Sequence, residues 1–265
     1  MPSFAVSIAI LSLLQAVLVA LPRSRRFAWL DALRSPWWAL VPGLSIVVVV
    51  GIVAWEGESA TALSWLALVA VPPFAAFALG WLVRGSRPEW AVAIPPLFVL
   101  AWASPSSLIG ETAATALTGL GCIGLGWLLV SVAPARWLKL GIYAMAAIDV
   151  WFVATNLLQG PNAVLAAAAP SELPRLQAVH FGNALMGFGD LFIAATLGCL
   201  LAASRSRQLR AALLVTVLAL IFDLLFFAVD TLPATVPVAL ALGLLELHDR
   251  CGLFPARGTG KVHSD

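Results

Sequence analysis

The chain alternates long apolar runs with short polar connections, at a spacing that matches the thickness of a lipid bilayer. A helix rises ~1.5 Å per residue, so about 20 apolar residues cross a hydrocarbon layer ~30 Å thick. Runs near that length cover approximately 3–21, 37–55, 61–83, 90–105, 112–133, 138–159, 177–203, 211–229 and 232–247. This pattern predicts an all-α polytopic membrane protein of about nine transmembrane helices. Pro72-Pro73, Pro95-Pro96 and Pro237 interrupt three of the runs, where a missing amide hydrogen and a ring clash predict kinks.

The connections carry the basic residues, and they do so on alternate sides. Arg23, Arg25, Arg26 and Arg34 follow the first run; Arg84 and Arg87 the third; Arg136 and Lys139 the fifth; Arg205, Arg207 and Arg210 the seventh; Arg250, Arg257 and Lys261 the ninth. Only Arg175 falls opposite. Short cytoplasmic loops collect Lys and Arg, so the pattern predicts an N-terminus outside and a C-terminus in the cytoplasm. The first apolar run is followed rather than preceded by charge, the reverse of a secretory signal peptide, and reads as a retained span. Trp37, Trp38, Trp55, Trp81, Trp90 and Trp137 fall near the ends of runs, as interfacial anchors do. The expected organisation is an N-terminal bundle over 1–136, a second transmembrane region over 137–247 and a tail over 248–265.

Composition agrees: 62% hydrophobic and 11% charged residues exclude an ordinary soluble domain. The formal net charge of +2 is too small and too scattered to suggest nucleic acid as a partner. Cys122, Cys199 and Cys251 form no disulfide framework, and with His180, His248 and His263 they offer no metal-ligand spacing. Neither a metal nor another cofactor is predicted.

Against this apolar background the carboxylates stand out. Asp149 lies in the sixth run, and Asp190 ends Gly187-Phe188-Gly189-Asp190 in the seventh. An acid at the bilayer centre costs about 2.5–3.5 kcal/mol on insertion scales, so two in consecutive spans need a reason to be there. Asp149 is ten residues beyond Lys139 and Asp190 fifteen before Arg205, which puts them roughly 15 Å and 22 Å from the basic side. Antiparallel neighbouring helices would let these carboxylates face each other and share a proton. Such a pair can hydrolyse a peptide bond: one carboxylate takes a proton from a held water while its protonated partner polarises the scissile carbonyl.

Asp149-Val150-Trp151-Phe152-Val153 with Thr155-Asn156, then Gly187-Phe188-Gly189-Asp190, then Leu232-Pro233-Ala234 at the start of the last run, resemble in order and spacing the three signatures of the presenilin and signal peptide peptidase family of intramembrane aspartyl proteases. The resemblance covers about 143–245; over 1–140 it rests on hydropathy and span number. The outside N-terminus is similar to the signal peptide peptidase branch. The resemblance implies catalytic roles for Asp149 and Asp190, and substrate positioning by Gly187, Phe188, Gly189, Leu232, Pro233 and Ala234. It implies substrates that are single-span membrane proteins or remnant signal peptides met in the lipid bilayer. Two positions depart from the pattern: Ile148 stands where the family has a tyrosine, removing a hydroxyl beside the first acid, and Thr235 stands where it has a leucine.

The residue types suit such work. Glycines lacking a β-carbon at 187 and 189 permit unwinding and close approach of another backbone beside Asp190. An irregular strip of backbone there could pair with an extended substrate as an added strand. Pro233 would stiffen a loop beside the site. Asn156 and Asn183 lie seven residues from Asp149 and Asp190, on the same helical faces as the acids, and could bind substrate or water.

Each feature also has a plainer use. A lone intramembrane Asp serves equally as a structural acid or as a proton relay, and Gly-x-Gly in a span commonly reflects close helix packing. Asp223, in the eighth run, matches no signature: either it faces the bundle interior and hydrogen-bonds a neighbouring span, or it joins the other two acids in a proton path. The alternatives to a protease are therefore a proton-coupled transporter or channel using Asp149, Asp190 and Asp223, and a catalytically silent binder of transmembrane helices.

Overall fold

The computed structural model describes residues 2–25, 27, 58–155, 173–227, 229 and 231–251. The expected span over 37–55 and Asn156 lie outside the described residues. Within them the chain forms eight helices: α1 (Phe4–Ala20), α2 (Glu58–Phe77), α3 (Ile94–Ala103), α4 (Leu108–Val132), α5 (Ala135–Ala154), α6 (Phe188–Leu201), α7 (Arg205–Asp223) and α8 (Val236–Arg250). Four helical stretches are long and apolar enough to cross a membrane: Ser64–Leu82, Leu108–Val132, Ala135–Ala154 and Arg205–Phe227.

Helix α4 is the axis of the bundle. The Ser107 side chain caps it by accepting from the Gly110 amide at 3.1 Å, and α2, α3 and α6 pack along its length. Helix α1 lies against α6 and α7, while α8 joins α7 to α5. Lipid tails are as apolar as Leu, so close packing replaces the hydrophobic effect as the force between membrane helices, and small residues permit it. At Gly124 a β-carbon would stand 2.6 Å from the Phe74 carbonyl oxygen of α2; at Gly198 it would stand 2.6 Å from the Leu18 oxygen and 2.7 Å from the Val19 oxygen of α1. In α2, Pro72 and Pro73 leave two amide hydrogens missing, and the helix continues as a π-turn over Ala78–Leu82.

The seventh run departs from expectation. It is not one helix over 177–203: residues 178–187 fold as an antiparallel hairpin, β1 (Ala178–Phe181) paired with β2 (Ala184–Gly187), and only then does α6 begin. The cause is the Gly182-Asn183 pair. A two-residue hairpin loop needs positive φ, which glycine adopts at no steric cost, and Gly182 has φ +59°. Glu111, in the first turn of α4, accepts from the Gly182 amide at 2.8 Å and ties the hairpin tip to the central helix.

Polar contacts collect at the two ends of the bundle. At one end Gln208, fully buried, donates to the Pro22 and Gly198 carbonyls and accepts from Arg84 and Arg205. At the same end Lys139 pairs with Glu246 at 2.7 Å, and Arg207 pairs with Asp249. These contacts bring together the start of α5, the end of α6, the start of α7 and the end of α8, so α5 and α6 run antiparallel. Glu111 and the hairpin tip mark the opposite end.

Gly198→Ala should destabilise the fold by about 1–3 kcal/mol through overpacking against α1, read as a lower unfolding midpoint in detergent. Gly189→Ala should leave that midpoint unchanged, because a β-carbon there meets nothing within 4 Å.

Candidate functional site

The site is built where α5, α6 and the start of α8 meet. Asp149 is ten residues past Lys139, and Asp190 is the third residue of α6, roughly 17 Å along its axis from Leu201. The two carboxylates therefore sit at similar heights from the basic end. They are near enough for their charges to interact directly.

Each carboxylate has one oxygen held by the chain. Asp149 Oδ2 accepts from the Thr235 hydroxyl at 2.7 Å, and the Thr235 amide lies 3.4 Å from the same oxygen. Asp190 Oδ2 accepts from the Gly187 amide at 3.1 Å, three residues back, which closes the first turn of α6. Gly187 leaves room for that contact, since a β-carbon would stand 3.1 Å from the same oxygen.

Gln15, 1% exposed on α1, spans the site from the other side. Its Nε2 donates to the Ala234 carbonyl at 3.1 Å and approaches the Asp190 carbonyl at 3.5 Å. One amide thus bridges the backbone at Asp190 to the turn preceding α8. Beside it lies a cavity of about 70 Å³, lined among others by Ser12, Gln15, Asp190, Asp223, Leu232 and Ala234. A water occupies ~30 Å³ in the liquid and needs polar partners, and both the volume and the lining suit one.

The predicted residues divide. Asp149, Asp190, Gly187, Leu232 and Ala234 come together around this centre; Pro233 is buried in the same turn, its carbonyl accepting from the Val236 amide at 3.2 Å. Gly189 is exposed at the start of α6, and Phe188 turns to stack with Phe192. Asn183 is not on the helical face of Asp190. It sits in the hairpin loop, donating from Nδ2 to the Pro2 carbonyl at 3.4 Å, because the strands put it at the tip. Asp223 hydrogen-bonds a neighbouring helix, its carboxylate accepting from Ser12 Oγ at 2.8 Å on α1, and it lines the same cavity as Asp190.

Sequence reasoning missed Gln15 and Ser12, and it took Thr235 only as a departure from a pattern. The available signal was an amide at the centre of an otherwise apolar span, which needs partners there. Among the described residues no three His, Cys, Asp or Glu side chains gather as a metal site would require.

The described residues define a mostly helical protein, with four helices long and apolar enough to cross a membrane and two carboxylates at similar heights on neighbouring helices. Compared with protein families, with characterised proteins and with solved structures, the chain matches none.

Burial pushes the His180 imidazole of β1 below its usual 6.5, helped by Arg175 and opposed by Glu111. The folded hairpin therefore binds fewer protons there than the unfolded chain does. Its stability is intact above about pH 6.5 and declines as pH falls through that value. Amide exchange across 179–185, corrected for intrinsic rates, should accelerate between about pH 7.5 and about pH 5.5, and His180→Gln should remove the dependence.

Proposed function

We propose that this chain is an intramembrane aspartyl endopeptidase that hydrolyses peptide bonds within transmembrane segments or remnant signal peptides. The observation that carries the reading is the Asp149–Asp190 pair: two interacting carboxylates on antiparallel helices, each with one oxygen fixed by a donor of the chain, with Asp190 lining a cavity. One carboxylate accepts a proton from a water as that water attacks the scissile carbonyl. The other, protonated, donates to the carbonyl oxygen and then supports proton transfer to the leaving nitrogen. No covalent intermediate is required.

The neighbouring elements support this chemistry. A substrate helix must unwind before water can reach its backbone, and β2 leads directly into Asp190, where an extended segment could add as a further strand. The Leu232-Pro233-Ala234 turn, held by Gln15, borders the same space. The likeness to the presenilin and signal peptide peptidase family belongs to this proposal, as do a total of nine spans with the second over 37–55, an outside N-terminus and a cytoplasmic C-terminus.

One observation favours a second reading. Asp223 shares a cavity with Asp190, and two acids so placed would also serve a proton-coupled carrier. Its carboxylate is engaged by Ser12, as a structural acid's would be, and the protease reading remains the better supported.

The deciding measurement reconstitutes the purified protein in liposomes with single-span peptides and maps products by mass spectrometry. Asp149→Asn or Asp190→Asn alone should lower cleavage on the order of 10³-fold or more while the protein stays folded. Substantial proteolysis in either variant would refute the dyad; no cleavage by the folded wild type, with a proton flux lost in Asp223→Asn, would establish the carrier. Binding of the peptides with neither cleavage nor flux would leave a silent binder.

A further inference from the structure

Thr235 occupies the N-cap of α8, a position where threonine ordinarily spends its hydroxyl on its own helix. Here it makes no such cap. The side chain is 2% exposed, and its Oγ1 donates instead to Asp149 Oδ2, at 2.7 Å and across 86 residues of sequence. The Thr235 amide approaches the same oxygen. The hydroxyl is thus diverted from a local use to a distant carboxylate.

We propose that Thr235 is a positioning residue for Asp149, fixing which carboxylate oxygen faces the reacting water and tying that orientation to the 232–234 turn. This deepens the protease reading and rests on it. An aspartate side chain turns freely about its terminal bond, so without a donor its two oxygens exchange and the plane of the carboxylate wanders. A hydroxyl on one oxygen holds that plane and leaves Oδ1 as the oxygen presented to the site. Among the described residues no other side chain hydrogen-bonds Asp149. Ile148, the residue before it, has no polar atom to offer, so the hydroxyl beside this acid comes from α8 instead of from α5.

The geometry also couples two parts of the site. Thr235 directly follows Ala234, whose carbonyl is held by Gln15, so a displacement of the turn by a substrate segment reaches Asp149 through one residue. The threonine therefore links occupancy of the turn to the aim of the acid.

Three variants test this in the liposome assay. Thr235→Val keeps the shape and removes the hydroxyl; Thr235→Ser keeps the hydroxyl and removes a methyl; Thr235→Leu removes the hydroxyl and adds bulk. Thr235→Val should lose kcat roughly 10- to 100-fold with KM nearly unchanged, as misaimed catalytic groups do. Thr235→Ser should recover most of it, and Thr235→Leu should not. Infrared difference spectra, with the Asp149 carboxyl band assigned by its disappearance in Asp149→Asn, read the contact without reference to turnover. That band should move in Thr235→Val and return in Thr235→Ser. Wild-type kcat in Thr235→Val, equal losses in the valine and serine variants, or an unmoved band would each overturn the positioning role while leaving the dyad standing. Failure of the wild type itself to cleave would overturn the protease reading, and with it this role; the band would then report the contact alone.

Discussion

A carboxylate removed from water must find hydrogen-bond donors or forfeit its charge, and in this protein that requirement organises the space between the helices. Charges at mid-membrane are costly, and the cost falls only where protein groups replace hydration. The donors come from far along the chain: Thr235 for Asp149, Ser12 for Asp223. The Gly187 amide supplies Asp190 locally. Gln15 adds no charge contact but binds the backbone at two of these places to a single side chain. The acids are thus held by helices that the apolar pattern alone would treat as interchangeable packing.

Steric fit works alongside this polar support. Helix α4 can touch α2 as closely as it does because Gly124 has no side chain, and α6 can meet α1 because of Gly198. The second contact bears on the site directly. It sets the distance at which Gln15 on α1 reaches the Asp190 carbonyl on α6, so backbone approach and hydrogen-bond geometry are the same constraint viewed from two sides.

Much of the architecture could be read from the sequence, because hydropathy reports depth and depth is the main coordinate of a membrane protein. The helices over 108–132, 135–154 and 205–227 fall close to their apolar runs, and the acids arrive at similar heights. The hairpin was lost for a definite reason. Residues 177–203 are mostly apolar, and a sliding count of hydrophobic residues gives strand and helix the same weight; only the Gly182-Asn183 pair marked the turn. That error displaced Asn183 from the site to the loop. The partners of Gln15 and Thr235 were invisible for another reason: a contact 175 or 86 residues away leaves no local periodicity, even where an amide in an apolar span signals that partners are needed.

The long sequence separation of these contacts has a further consequence. Gln15 meets Ala234 across 219 residues, and Asp149 waits 86 residues for its donor. Both acids precede Thr235 along the chain, so the donor of Asp149 is the last of the three to be synthesised. A chain lacking α8 and the turn before it lacks both the hydroxyl that Asp149 Oδ2 accepts from and the Ala234 carbonyl that Gln15 binds, so these contacts form only when that helix docks. The order of segments along the polypeptide thereby leaves hydrogen bonds at both Asp149 and Gln15 to the helix end that is made last of the three.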